Sequence, residues 1–407
     1  MIVCLFASVS FAQTFINFTA EQQDSFNAVL VEKDGKWLHV IKVSEGSATV
    51  LKSWQVLTGG SEGDKMVQGD EKTPEGLYFV TGFLSPAKLK EMYGSEVSKM
   101  YGSGAYPLSY PNIKDRLNRK TGGGIWLHGV DPERKEPATK GCVAFENDNL
   151  ELLSDYIGVG TPVIITNEGL EGTIEDLHDH YVKAKQNVDD FIEAWGSNNI
   201  DAFKSYYGEN FKDTGGRSLD GYFKYKKYLM DLFPYRYVEA ENYRVFTQKD
   251  GEYVAEFDQF YCAPNVVSYG RKRFYYEDNK IVTEEFSQRD ASPYLRRKVN
   301  EFLLNWKNAW ESLNIDSYMS VYADDFSSAG MDKSAWQADK AGKFANLKEV
   351  KVQVENISFK AVSPVSYIIE FRQIYQGDEY SDAGTKTLRV TGCPGDFKIK
   401  SETWRAQ

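Results

Sequence analysis

The sequence is poor in the residues that most often carry catalytic chemistry or cross-link a chain. Its 407 residues include four cysteines and four histidines, and the formal net charge is −11. An acidic chain with interspersed charges argues against a nucleic-acid partner, because phosphate binding needs clustered Lys and Arg. No apolar run approaches the roughly 18 residues of a spanning helix. The mature chain is therefore predicted to lack a transmembrane segment.

The amino-terminal stretch MIVCLFASVSFAQ is apolar and ends in a small-x-small pattern at Ser10–Ala12. This pattern predicts a signal peptide at residues 1–12, although the basic start is missing and a first β-strand is the alternative. Cleavage would remove Cys4 and leave three cysteines without CxxC spacing. Neither a disulfide scaffold nor a zinc site is signalled. We expect an exported protein of the periplasm or cell envelope.

Alternating apolar residues predict a mostly-β first domain over residues 26–168. The stretch NAVLVEKDGKWLHVIKV is typical of a hairpin with Asp34-Gly35 at its turn, and GIWLHGV of a short strand ending at His128. Past Cys142, a capped helix and a strand are expected. The polar residues 169–183 are predicted to be a linker that passes into a helix.

The remainder of the chain is an internal repeat. WGSNNIDAFKSYYGENF (195–211) aligns without a gap on WESLNIDSYMSVYADDF (310–326), and residues 257–274 align on 371–388. Helical segments precede strands in both copies, so we predict two α+β domains at 184–290 and 293–407. Asp201 and Asp316 are expected to cap a second helix.

The repeat unit resembles the nuclear-transport-factor-two-like fold, a curved sheet wrapped round a helix to form a cone. The Trp-Asp-Tyr-Phe pattern of each copy and its late strands carry this resemblance. The predicted fold class is multidomain: a mostly-β domain and two tandem α+β cone (cystatin-like) domains. Cones host enzymes and binding modules alike, so a small ligand, a glycan or a protein is an open expectation for their partner.

One short stretch concentrates scarce residues. GGGIWLHGVDPERKEPATKGCVAF contains His128 and Cys142, with Gly129 after the histidine and Gly141 before the cysteine. A thiol needs a neighbour that accepts its proton, and imidazole suits that role. The amides of Gly141 and Cys142 are candidate donors to an oxyanion. The plainer interpretation is a small buried cysteine.

This stretch is similar to the L,D-transpeptidase catalytic domain, over roughly residues 26–168. The family motif is a histidine, a loop, then Ser/Thr-His/Arg-Gly-Cys-aliphatic with a following Asn. The matching residues are His128, Thr139, Gly141, Cys142, Val143 and Asn147, and TPEGLY at 73–78 resembles a further family segment. Two residues depart from the pattern: Lys140 replaces His or Arg, and Ala144 replaces a frequent Arg.

The resemblance implies a peptidoglycan substrate and a cysteine nucleophile that needs no cofactor or metal. Cys142 would attack the carbonyl at the L-centre of the diamino acid in a tetrapeptide stem, with His128 as base and Gly129 orienting the imidazole through its carbonyl. D-Ala would leave, and the thioester would pass to an amine (L,D-transpeptidase) or to water (L,D-carboxypeptidase). The order of a catalytic domain and a cone resembles cell-shape L,D-carboxypeptidases.

Further side chains are weaker candidates. The predicted substrate contacts are Tyr106, Trp126, Arg134, Thr139, Lys140 and Asn147. His39 lies in an alternating strand and is expected to be a sheet residue, whereas His178 and His180 have a spacing that does not share one helical face. Cys262 and Cys393 do not look nucleophilic.

Two other functions remain open. A non-catalytic wall-binding or scaffolding protein would use the cones alone, and Lys140 and Ala144 favour it. A cysteine protease or sortase-like enzyme is disfavoured, because the arginine on which sortases depend does not follow Cys142 in CVAFENDNLELLSDYIG.

Overall fold

The computed structural model describes residues 14–21, 24–44, 46–134 and 136–406. The predicted signal peptide at 1–12 lies outside these residues. The chain divides into two compact units: one comprises the residues up to 226 with 240–258 and 272–286, and the other comprises 227–239, 259–271 and 287–407. No described helix is long and apolar enough to cross a membrane.

The amino-terminal half is sheet-rich. Its elements are β1 (Thr14–Phe15), β2 (Phe18–Ala20), β3 (Ser25–Glu32), β4 (Trp37–Ser44), β5 (Ser47–Gln55), β6 (Gly76–Phe79), α1 (Pro86–Ser98), a 3-10 turn (Lys99–Tyr101), β7 (Ala105–Pro107), α2 (Ile113–Leu117), β8 (Trp126–His128), β9 (Val143–Ala144), α3 (Asn147–Leu153) and β10 (Pro162–Thr166).

Two sheets of this half enclose one core. The larger has the strand order β5-β4-β3-β10-β6, and the smaller has the order β7-β8-β9. Strands β3 and β4 form the predicted antiparallel hairpin, while β10 runs parallel to β3. The shared core is aliphatic and aromatic and includes Val29, Val40, Tyr78, Leu127 and Val163. Burying these apolar faces holds the smaller sheet against the larger one.

The repeat follows the predicted order of helices and then strands. The first copy has β11 (Glu171–Gly172), α4 (Ile174–Gly196), α5 (Ile200–Lys204), α6 (Leu219–Leu232), β12 (Tyr237–Lys249), β13 (Glu252–Ala263), β14 (Val266–Glu277) and β15 (Lys280–Gln288). The second has α7 (Ser292–Glu311), α8 (Ile315–Met319), β16 (Ser327–Ser328), β17 (Met331–Asp332), α9 (Lys333–Phe344), β18 (Lys351–Ser363), β19 (Ser366–Gln376), β20 (Ser381–Thr391) and β21 (Lys398–Ala406).

Helix α4 begins inside the range predicted as a linker. Thr173 and Asp176 form a capping box at its start, each side chain bonding the backbone N–H of the other. Two residues earlier, β11 pairs with β1. Much of 169–183 is therefore regular structure. The polar composition that suggested a linker belongs to the exposed face of a capped helix.

The amino-terminal segment contributes to the first cone. Strand β2 pairs antiparallel with β12 and extends that sheet to the order β15-β14-β13-β12-β2. The Phe18 and Phe246 rings meet edge to face at 6.2 Å, and Phe79 of β6 also packs against Phe246. Lys114 forms ion pairs with Glu252 and Glu277 at 2.9 and 2.6 Å. The first compact unit therefore contains both sheets of the amino-terminal domain and this part of the first cone.

The caps of the short cone helices differ from the expectation. Asn199 accepts a hydrogen bond from the Ala202 N–H, and Asn314 accepts one from the Ser317 N–H. Asp201 and Asp316 are the second residues of α5 and α8, two positions after the capping residues. The prediction that they cap these helices is therefore wrong. Their charges still face the positive end of the helix dipole.

A disulfide joins Cys262 to Cys393, which are 131 residues apart in the chain. Both are buried, among Phe260, Tyr294 and neighbouring aromatic residues of the second compact unit. The sequence showed no sign of this pair, because its spacing follows from the packing of two repeats and not from a local motif. Cys142 is the free cysteine of the described residues.

Candidate active site

The site is built on two neighbouring parallel strands. His128 ends β8, Cys142 directly precedes β9, and the register pairs Leu127 with Val143 and His128 with Ala144. Successive side chains of a strand point to opposite faces. His128 and Cys142 therefore share one face of the smaller sheet, while Leu127 and Val143 enter the core on the other.

The imidazole of His128 is held in one tautomer. Its Nδ1 donates to the carbonyl oxygen of Gly129 at 2.5 Å, which leaves Nε2 as the proton acceptor. The Tyr101 ring meets it edge-on, with centroids 5.1 Å apart. Burial lowers the pKa of His128 to about 4, and the Arg134 charge acts in the same direction against the Gly129 hydrogen bond. The side chain is therefore a neutral base at physiological pH.

The thiol of Cys142 is half-buried and protonated. Its Sγ donates to the carbonyl oxygen of Gly124 at 3.3 Å. Burial raises the pKa of Cys142 to about 11, although a hydrogen bond with the Trp126 backbone and the charge of Lys65 oppose that rise. The structure thus holds a neutral thiol and a neutral imidazole on one face of the smaller sheet, with the thiol proton directed at Gly124.

The turn before Cys142 depends on a glycine and a threonine. Gly141 has φ +125°, and a Cβ there would lie 2.8 Å from the Lys72 carbonyl oxygen. The Thr139 hydroxyl accepts from the Gly141 N–H at 3.0 Å and donates to the Cys142 carbonyl at 2.7 Å. The predicted oxyanion donor at Gly141 is therefore already engaged, since its only N–H is bonded to Thr139.

Tyr106 does not lie on the face of the smaller sheet that carries His128 and Cys142. It pairs with Leu127 across β7 and β8, so its side chain is on the face opposite His128. It belongs to the same buried core as Leu127 and Val143. We expected Tyr106 to contact substrate at this site. The strand register instead places its side chain on the opposite face of the sheet, in the core.

Trp126 lies on the same face of the smaller sheet as His128 and Cys142. Its ring packs against Tyr101 at 4.9 Å and Tyr93 at 6.0 Å, in a small cluster that also includes Cys142. These rings form an aromatic wall next to the thiol. Lys140 is exposed at the turn.

The polar groups of Arg134 and Asn147 form hydrogen bonds with the backbone. The Arg134 guanidinium donates to the carbonyls of Glu136 and Ala138 and so braces the loop before the turn. Asn147 Oδ1 accepts from the amides of Ser103 and Val130, and its Nδ2 donates to the Val130 carbonyl. Both hold the frame of the site, and contact with substrate stays a prediction.

Three residues near the site had no sequence signal. Tyr101 contacts both His128 and Trp126 through its ring. Lys65 and Asp70 form an ion pair at 2.7 Å whose side chains are only 4% and 12% exposed. They lie in GDKMVQGDEKTPEG, where a run of charges looks like an ordinary solvated loop.

The remaining histidines lie elsewhere. His39 bonds Ser53 and Glu32 at 2.7 and 2.8 Å and is a residue of the larger sheet, as expected. His178 and His180 lie on α4. Among the described residues, no group of three or more His, Cys, Asp or Glu is arranged to hold a metal ion.

Comparison with known families defines the class of protein. The model described as the L,D-transpeptidase catalytic domain matches residues 28–165. The model described as the Cds6 C-terminal NTF2-like domain matches twice, at 183–285 and 298–403, which together exceed half of the chain. The chain therefore belongs to the family of the Cds6 C-terminal NTF2-like domain, and its amino-terminal part matches the L,D-transpeptidase catalytic domain.

Two solved structures are similar over most of their length. Bd1075 of Bdellovibrio bacteriovorus has 25% identity and a TM-score of 0.58, covering 69% of this chain and 99% of that chain. The helical cell shape determining protein Pgp2 of Campylobacter jejuni has 24% identity and a TM-score of 0.56, covering 65% and 93%. No curated protein matches the chain.

Proposed function

We propose that this chain is an exported cysteine enzyme that cleaves tetrapeptide stems of peptidoglycan. The observation that carries the proposal is the position of His128 and Cys142 on one face of two neighbouring strands, within an L,D-transpeptidase catalytic domain. The Gly129 carbonyl directs Nε2 of the imidazole away from its own backbone. That nitrogen is the base that the reaction requires.

The reaction begins from a neutral pair. The Cys142 proton leaves its bond to Gly124 and passes to His128 Nε2, while Sγ forms a bond to the carbonyl carbon at the L-centre of the diamino acid. The tetrahedral oxyanion collapses, the C–N bond to D-Ala breaks, and the leaving amine takes the proton from His128. A thioester on Cys142 remains. Because the Gly141 amide is bonded to Thr139, the Cys142 amide is the proposed backbone donor to the oxyanion.

The second half-reaction has two outcomes. Attack on the thioester by water gives a tripeptide, and attack by an amine gives a cross-link; either restores the thiol after His128 relays a proton. The proposal includes both outcomes. The similarity to a helical cell shape determining protein supports a role in cell shape.

Export is supported by the disulfide. Cys262 and Cys393 are buried and bonded, and disulfides persist mainly in oxidising compartments such as the periplasm. The pair leaves Cys142 as the reactive thiol of the described residues. The proposed location is the cell envelope.

A test uses the full chain and a defined disaccharide-tetrapeptide. We expect mass spectrometry to detect loss of D-Ala, with tripeptide, cross-linked dimer or both as products. Cys142→Ala is expected to abolish the loss, and an adduct of a carbapenem is expected on Cys142. Turnover that persists in Cys142→Ala contradicts the assignment of the nucleophile.

The second candidate is a non-catalytic protein that binds wall fragments through its cones. The engaged Gly141 amide and the thiol proton directed at Gly124 favour it, since neither is ready for chemistry. Binding of muropeptide to the full chain without any turnover would support this function instead. The tetrapeptide assay, run beside equilibrium binding, separates the two.

A further inference from the structure

A buried ion pair lies against the glycine-rich segment that contacts the thiol. The Lys65 Nζ donates to Asp70 Oδ1 at 2.7 Å and to the Val67 carbonyl at 3.1 Å. Asp70 in turn accepts the amides of Met66, Val67 and Lys72. A burial this deep is costly for a lysine unless its charge is paired. Hydrogen bonds within this loop therefore hold both the ammonium group and its carboxylate partner in place.

The loop of Lys65 is attached to the segment before β8. The Thr121 N–H donates to the Met66 carbonyl at 3.0 Å, and the Gln68 N–H donates to the Thr121 hydroxyl at 3.1 Å. A Cβ placed on Gly122 would lie 3.5 Å from Lys65 Cε. Two residues further on, the Gly124 carbonyl accepts the Cys142 thiol. The ammonium thus lies beside the backbone that contacts the sulfur.

The same loop also contacts the turn on the other side of the cysteine. The Lys72 carbonyl oxygen lies 2.8 Å from the Cβ position of Gly141. Residues 65–72 therefore pack against both segments that position Cys142, the glycine run at 122–124 and the turn at 139–141. Lys65 is the cation that this loop buries, since its side chain is only 4% exposed.

We propose that Lys65, held by Asp70, is a positioning residue that stabilises the thiolate of Cys142 as the proton leaves. The inference rests on the proposed function, because a thiolate matters here only if Cys142 is the nucleophile. An ammonium ion has three N–H donors, and two of them are used on Asp70 and Val67. The charge, rather than a direct bond to sulfur, carries the proposal.

Two other titratable groups of the site do not supply this charge, and Lys140 is exposed to solvent at the turn. His128 is neutral above its pKa of about 4. Tyr101 is neutral as well, because burial and then the nearby Cys142 charge raise its pKa. The Trp126 backbone contributes a dipole, and Lys65 contributes the formal positive charge that opposes the effect of burial on the thiol. A low-dielectric site strengthens such a charge.

The test measures the thiol without any peptidoglycan. The rate of iodoacetamide alkylation at Cys142, followed by mass spectrometry of its peptide across a pH series, reports the thiolate fraction. We expect Lys65→Met to slow alkylation at pH 8 roughly tenfold, which corresponds to a rise of about one pKa unit. Lys65→Arg keeps the charge and is expected to stay near the wild-type profile.

Two further variants separate charge from folding. Lys65→Met leaves Asp70 buried alone, so Lys65→Met/Asp70→Asn removes both charges and is expected to keep the slow alkylation with a wild-type melting curve. Lys33→Met is the matched control, because Lys33 is also a buried lysine of this domain, paired with Glu75 at 2.7 Å. It is expected to leave the alkylation profile unchanged.

Contrary results are clear. Alkylation at the wild-type rate in both Lys65→Met and the double variant would overturn the proposal, as would an equal slowing in Lys33→Met. The proposed function fails separately, through absent D-Ala release from the wild-type chain. Slow alkylation in Lys65→Met together with no turnover would retain the role of Lys65 and reject the substrate.

Discussion

His128 and Cys142 of the amino-terminal domain and the carboxylates inside the cones have different partners. His128 and Cys142 bond to backbone carbonyls, at Gly129 and Gly124. Neither forms an ion pair, and burial drives both to their neutral forms, with pKa values of about 4 and about 11, although the Lys65 charge opposes the rise at Cys142. The proposed reaction therefore begins with proton transfer rather than from a formed ion pair.

In the first cone, a carboxylate has charged partners instead. Glu284 accepts from the hydroxyls of Tyr207 and Tyr222 and pairs with Lys272 at 3.0 Å. Burial alone would raise its pKa, but the charges of Lys272 and Lys226 outweigh that effect and hold the pKa below its ordinary value. This carboxylate, whose side chain is only 12% exposed, thus stays charged because it has cationic partners.

The second cone repeats this arrangement. Glu402 pairs with Lys386 at 2.6 Å and accepts from Tyr322 at 2.9 Å. In the repeat, Tyr322, Lys386 and Glu402 align with their counterparts in the first cone. The comparison teaches that the partner, and not the depth of burial, decides whether a group is charged. Charged pairs serve the architecture of the cones, and a neutral pair serves the proposed reaction.

The largest expected effect comes from removing the base. His128→Gln keeps a similar size but cannot accept the thiol proton, so kcat/KM for D-Ala release is expected to fall about 10²–10⁴-fold. The matched control is His39→Gln in the larger sheet, expected to remain close to wild type. Initial rates on the disaccharide-tetrapeptide decide the matter, and a wild-type rate for His128→Gln would contradict the assignment.

Breaking a charged pair of a cone tests the other side of the comparison. Glu402→Gln leaves Lys386 buried without its carboxylate, and the free energy of unfolding is expected to fall by about 3–5 kcal/mol. Glu355→Gln breaks the exposed pair with Arg372 in the same cone and is expected to cost less than about 1 kcal/mol. Urea unfolding measures both, and equal losses would contradict the comparison.

The pH profile sharpens the neutral-pair interpretation. The imidazole acts as base only when deprotonated, so activity is expected to fall as the pH drops through about 4, well below the 6.5 of an ordinary histidine. Arg134→Met removes a charge that lowers this pKa and is expected to move the acid limb upward, whereas Arg134→Lys keeps it. Half-maximal kcat/KM near pH 6.5 in the wild type would refute the neutral pair.

The smallest expected effect distinguishes two neighbouring polar residues of the repeat. Asn314→Ala removes the cap of α8 and is expected to cost about 1 kcal/mol of stability. Asp316→Ala removes only a charge in the first turn, worth about 0.3–1 kcal/mol at low salt. Thermal unfolding at low and high salt separates them, because only the second loss is screened. A reversed ranking would restore Asp316 as the cap.

The site was only partly predictable. The glycines beside His128 and Cys142 mark tight backbone, and the pattern from Thr139 to Asn147 pointed to a family. The sequence did not predict which face of the sheet Tyr106 occupies. In a short strand, a register shift of one residue moves a side chain to the other face. The pair of Lys65 and Asp70 was hidden, since a charged loop looks the same whether it is buried or solvated.

The sequence by itself determined the family motif, the internal repeat and the order of helices before strands, because these depend on local spacing and periodicity. Tertiary structure decided what those patterns leave open. It joined Cys262 to Cys393 across 131 residues, engaged the Gly141 amide with Thr139, and set the protonation of His128 and Cys142. The physical reason is that burial and hydrogen-bond partners come from residues far apart in the chain, which no local pattern records.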